Sequence, residues 1–145
     1  MTKVFVHGNP ETSVIWKPVV ELLNDRRIND IVLLSPPGFG APTPRDWGGT
    51  VREYTQWLAD ELKAIGGDID LVGHDWGAIM LWQHTLLNPD RVIGLANMSV
   101  PFKAREPSEP VAFWEKALGE DFYLVHFNRY PEIAARSFET DPKRV

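Results

Sequence analysis

Gly73-His74-Asp75-Trp76-Gly77 is the point in this 145-residue chain where residue types and spacing most plainly suggest chemistry. A carboxylate between two glycines follows the pattern Gly-x-nucleophile-x-Gly, with Asp where Ser often stands. The apolar run Ile69 to Val72 reads as a buried strand, and Ala78 to Leu87 reads as a helix. The motif therefore falls on a strand-to-helix turn. So tight a turn leaves no room for side chains at Gly73 and Gly77 and pushes Asp75 out past the carboxyl end of the strand, where open α/β sheets bind ligands. The helix that follows aims its first N–H groups at that carboxylate, which favours the charged form. The competing use of Asp75 is to cap the helix, and the motif alone leaves both uses open.

A second loop bears on the same chemistry. His7-Gly8-Asn9-Pro10 follows the first short strand signal, Lys3 to Val6. Lying beside such a turn, it offers the backbone N–H of Asn9 as one oxyanion donor, with the N–H of Trp76 as the other. His7 reads as a brace for this loop and His74 as a brace for the turn; His84 and His126 read as structural. A carboxylate nucleophile also selects its substrates. Ser attacking a saturated carbon would leave an ether, whereas Asp leaves an ester whose carbonyl water can attack, regenerating the carboxylate. Asp75 thus points to an electrophilic sp³ carbon and away from ordinary ester or amide cleavage.

These loops need elements to hold them. Ile15 to Asp25 has helical spacing with Pro18 in its first turn. Ile31 to Leu34 is a continuous apolar run, the pattern of a strand buried on both faces. Pro36 to Gly49, with four Pro and four Gly, must be loop. Thr50 predicts a capped helix to about Ile65, with Glu53 in the capping-box position. Val92 to Met98 reads as a fourth strand. Strands alternating with helical crossovers predict a parallel sheet with helices on both faces. After Phe102 a polar stretch leads to helical segments near Val111 to Leu118, Asp121 to Phe127 and Pro131 to Phe138, with no further strand signal. The predicted division is residues 1–99 as core and 100–145 as the beginning of a helical insertion.

Composition narrows the partners. The chain is 43% hydrophobic and 24% charged, a globular profile. Fifteen basic residues, scattered among twenty acidic ones, give a net charge of −5, which disfavours nucleic acid and anionic membrane as partners. No apolar run approaches the roughly 20 residues of a membrane span. With no Cys and no apolar leader, a cytoplasmic address is the expectation. Neither a metal nor a cofactor is called for.

The motifs quoted, together with Pro37-Gly38-Phe39-Gly40 and Ser99-Val100-Pro101-Phe102, make the chain similar to the α/β-hydrolase superfamily. Within it, the chain resembles the Asp-nucleophile branch of epoxide hydrolases and haloalkane dehalogenases. The resemblance implies a partial α/β-hydrolase fold: the N-terminal part of the core plus the start of the cap. It implies Asp75 as nucleophile and a small apolar epoxide or alkyl halide, with water, as substrates. Tyr123-Leu124-Val125-His126-Phe127-Asn128 resembles the cap segment whose leading Tyr donates to an epoxide oxygen, which would make Tyr123 the second catalytic residue. Epoxide opening is the preferred reading on that ground. Asn9 and Trp76, as possible halide donors, keep haloalkane dehalogenation as the alternative, beside a non-catalytic hydrolase-fold fragment. Trp16 and Phe39 are candidates for an apolar pocket wall. Ser35 departs from the acidic residue that relatives often carry there, a change expected to affect loop bracing. The resemblance also places a base, an acid and further strands beyond the cap, so the chain reads as about half of a typical enzyme, inactive in turnover and with an exposed sheet edge.

Overall fold

The computed structural model describes residues 1–102 and 108–140. The chain divides into two compact units, residues 1–102 and 103–145.

In the first unit, strands β1 (Thr2–Val6), β2 (Ile31–Leu34), β3 (Ile69–His74) and β4 (Val92–Met98) form one parallel sheet in the order β2-β1-β3-β4. Helices α1 (Lys17–Asp25), α2 (Val51–Ile65) and α3 (Trp76–Leu87) make the crossovers. The two-residue strand period sends Val4 and Val6 to one face, where they join Ile69, Leu71, Leu58, Leu62, Met80 and Leu81 in the core under α2 and α3. Phe5 points to the other face and meets Trp16 edge-on at 5.1 Å, just ahead of α1. Helices therefore lie on both faces, as the alternating pattern predicts, although α1 buries none of its own residues.

Local chemistry sets the element ends. Pro18 lacks a backbone N–H and is accommodated only in a first turn, so the predicted helix from Ile15 divides into a 3-10 turn, Ser13–Trp16, and α1. At α2 the capping box forms as read: Glu53 N–H donates to Thr50 Oγ1 and Thr50 N–H donates to Glu53 Oε2. The N–H of Gly48, then that of Thr50, holds the Glu53 carboxyl below its ordinary value. One expectation is corrected. β2 lies at the edge of the described sheet and is not buried on both faces; Leu33 is 38% exposed. An apolar run records hydrophobicity, but not how many neighbours cover it.

The first unit continues past Ser99 to Phe102 because this segment folds back on α3. Trp82 Nε1–H donates to the Val100 carbonyl at 3.1 Å, and the Phe102 ring lies 5.3 Å from that of Trp82. The polar stretch over 103–107 lies outside the described residues. The second unit contains α4 (Pro110–Leu118), α5 (Tyr123–Arg129) and α6 (Pro131–Thr140). Val125 is its buried centre, Trp114 packs on Phe122, Phe127 packs on Phe138, and Glu115 pairs with Arg129.

Candidate active site

Strand register builds the site. Val6 pairs with Leu34 on one side and with Gly73 on the other, so the chain leaving β1 emerges beside Ser35 and beside His74-Asp75. His74 pairs with Met98, and the Asp75 N–H donates to the Met98 carbonyl at 3.3 Å. Four strand ends thus deliver Ser35, His7-Gly8-Asn9, Asp75 and Ser99 to one edge of the sheet.

Asp75 occupies a conformation that L-residues rarely adopt, φ 53° and ψ −121°. Such a conformation stores roughly 1–3 kcal/mol and persists where the surroundings over-determine it. It is the N-cap residue of α3, yet its side chain caps nothing. Its Oδ1 instead accepts a hydrogen bond from the Asn9 N–H at 3.0 Å. Trp76 is the first residue of α3, where a helix leaves its N–H groups without intrahelical partners.

Two glycines make the approach possible. A Cβ on Gly8 would press on Asp75 Oδ1 and come within 2.6 Å of both the Asp75 Cβ and the Trp76 nitrogen. One on Gly77 would press on the Val6 carbonyl oxygen and lie 2.8 Å from that of His7. Gly73 gives similar room to Leu81 and to Asn97, whose Nδ2 donates to the Ala78 carbonyl at 3.2 Å. Pro10 follows Asn9 through a cis peptide bond.

His7 is fully buried. Its Nδ1 lies 2.9 Å from the Gly8 carbonyl and its Nε2 lies 3.1 Å from Ser35 Oγ. His74 approaches Glu11, with Nδ1 3.9 Å from Oε1. Glu11, Ser35 and Asn97 escaped the site list drawn from sequence. Glu11 directly follows the His-Gly-Asn-Pro loop, which was the available signal; Ser35 and Asn97 reach the site only through strand register.

Trp16 is buried against Phe5, and Phe39 stacks on Tyr54 at 5.7 Å. His84 is buried on α3, and its imidazole is held below its ordinary value by burial first and by Arg91 second. Tyr123 opens α5 of the second unit, with its ring edge-to-face with Phe122 and Phe127 and half exposed. His126 lies against Tyr130. Among the described residues, no group of three or more His, Asp or Glu could hold a metal ion, and no helix is long and apolar enough to cross a membrane.

The first unit is thus a parallel α/β sheet that presents a carboxylate on a positive-φ strand-to-helix turn, met by a backbone N–H from the neighbouring loop. The chain matches the Alpha/beta hydrolase family over residues 4–143 and belongs to that family. It is 30% identical to epoxide hydrolase A of Mycobacterium tuberculosis, over 98% of this chain and 45% of the relative. It is 36% identical to epoxide hydrolase 2 of Siraitia grosvenorii, over 93% of this chain and 43% of that protein. A haloalkane dehalogenase of Mycolicibacterium smegmatis matches at 32% identity over 83% of this chain and 42% of its own length. The crystal structure of epoxide hydrolase A from Mycobacterium thermoresistibile superposes with a TM-score of 0.76 at 27% identity, covering 97% of this chain and 46% of that one. The chain spans about half the length of these relatives.

Proposed function

We propose that Asp75 is the nucleophile of an epoxide-opening reaction. One observation carries the reading: the Asp75 carboxylate is not spent on capping α3 but is held by the Asn9 N–H at 3.0 Å. With Oδ1 held, Oδ2 is the attacking atom. It forms a bond to an epoxide carbon as the ring C–O bond breaks, and the departing alkoxide takes a proton from the Tyr123 hydroxyl. The product is an ester of Asp75. Water then adds to its carbonyl carbon, the N–H groups of Asn9 and Trp76 stabilise the negative Oδ1, and a diol departs as the carboxylate is restored, one proton of the water going to the departing diol oxygen and the other back to the Tyr123 phenolate. The relatives named as epoxide hydrolases support this choice. A haloalkane substrate is the second reading, favoured by Asn9 and Trp76 and by the dehalogenase relative; it uses the same ester.

His7 has hydrogen-bond partners on both ring nitrogens and so is not the base that activates water. Where no other group serves as the base, ester hydrolysis slows by about 10²–10⁴-fold and the ester accumulates. Incubation with a styrene-type epoxide should add one substrate mass, located by peptide mapping to the segment that contains Asp75. An identical adduct on Asp75→Ala would overturn the assignment.

A further inference from the structure

Between β1 and β2 lies a hydrogen-bonded chain that the proposed reaction does not use directly. A carbonyl oxygen only accepts, so the Nδ1 of His7, 2.9 Å from the Gly8 carbonyl, carries a proton and donates it. The other ring nitrogen, Nε2, faces the Ser35 hydroxyl at 3.1 Å. The ring is fully buried, and among the described residues neither of its nitrogens has an ion-pair partner. A second ring proton would have no negative charge beside it, and a buried charge is sustained only when paired. The hydroxyl, which can donate or accept, completes a neutral ring by donating to Nε2.

We infer that Ser35 is a positioning residue for the Asp75 site: it fixes His7 as the neutral Nδ1–H tautomer, and His7 in turn holds the Gly8 carbonyl so that the next N–H, that of Asn9, points at Asp75. The order of bonds is Ser35 Oγ–H to His7 Nε2, His7 Nδ1–H to the Gly8 carbonyl, and Asn9 N–H to Asp75 Oδ1. Neighbouring links share a peptide unit or a planar ring. The Gly8 carbonyl and the Asn9 N–H belong to the same peptide plane, so fixing one orients the other. Strand register makes the chain possible, because Val6 opposite Leu34 sets positions 7 and 35 side by side. The inference rests on the proposed role of Asp75 only for its consequence in rate; the tautomer and the loop geometry are properties of the resting protein.

The test uses ¹⁵N-labelled protein of residues 1–145, without substrate. Long-range proton–nitrogen correlation should show His7 with a protonated Nδ1 and a bare Nε2, and amide exchange should show the Asn9 N–H protected. Ser35→Ala should weaken Asn9 protection and slow ester formation at Asp75 by about 3- to 10-fold, the loss of one neutral hydrogen bond that leaves its partner buried. Ser35→Thr keeps a hydroxyl and should restore both, which a simple packing defect at position 35 would not. An Nε2–H tautomer in the wild-type protein, or Ser35→Ala with unaltered Asn9 protection, overturns the inference whatever the reactivity. Loss of protection in Ser35→Ala, in a protein whose wild type never forms an ester, would leave the positioning role standing and remove the proposed nucleophile instead.

Discussion

An aspartate at the start of a helix usually turns its carboxylate back onto the helix's own N–H groups. Asp75 does not, because the left-handed turn swings its side chain towards the loop after β1, where the Asn9 N–H takes it up. That choice depends on Gly8. Gly8→Ala places a methyl group against Asp75 and Trp76 with no free space, and overpacking of this kind costs about 1–3 kcal/mol. Ester formation should fall tenfold or more, with a lower thermal midpoint. Wild-type alkylation kinetics in Gly8→Ala would show that the contact does not shape the nucleophile. Asp75, Asn9, Gly8 and Gly77 were readable beforehand because each belongs to a short contiguous motif with its own steric logic. Asn97 was not, and Ser35 and Glu11 were legible only as neighbours of the motifs, because the groups they meet depend on which strands pair and in what register, information that no local spacing contains.

At the scale of elements, α3 links the carboxyl end of the sheet to a buried titratable group. It starts at Trp76, against Asp75, and two turns later carries His84 into a cleft it shares with Asp60, Lys63, Asp90 and Arg91. Burial, then Arg91, lowers the folded-state pKa of His84 below the ordinary 6.5. The unfolded chain therefore binds this proton first as pH falls. The stability that His84 contributes while neutral is complete above about pH 6.5 and is lost as the pH drops through the lower folded value. Urea midpoints measured between pH 7.5 and 5 should fall more steeply for the wild-type protein than for His84→Gln, and parallel curves would contradict the burial of a neutral imidazole. The Thr50–Glu53 box, the Pro18 helix start and all four strands were legible because cap chemistry and apolar runs are local signals. The edge position of β2 was not, because an apolar run looks the same whether one face is covered or two.

At the scale of the whole molecule, the residues proposed for the reaction fall in two compact units, Asp75, Asn9 and Trp76 in the first and Tyr123 in the second. Kinetic coupling between residues of the two units is therefore the measurement that separates an epoxide from a halide as the leaving group. Epoxide opening creates an alkoxide, a poor leaving group until a donor meets it, whereas chloride or bromide departs without a proton. A phenol with a pKa near 10 is neutral at physiological pH and can donate. If Tyr123 is that donor, Tyr123→Phe forfeits a hydrogen bond to a developing charge, worth about 1.5–3 kcal/mol, and should slow alkylation by an epoxide roughly 10- to 150-fold. Asn9→Ala should matter less, because its backbone N–H, the group that holds Asp75, survives the substitution. With a bromoalkane, Tyr123→Phe should react like the wild-type protein. A dehalogenase would invert the order, with Asn9→Ala crippled and Tyr123→Phe nearly silent. Rapid-mixing mass spectrometry of both variants with one epoxide and one bromoalkane reads these rates directly. A wild-type protein that alkylates faster with the bromoalkane, depends on the Asn9 side chain and ignores Tyr123 would transfer the assignment to halide displacement.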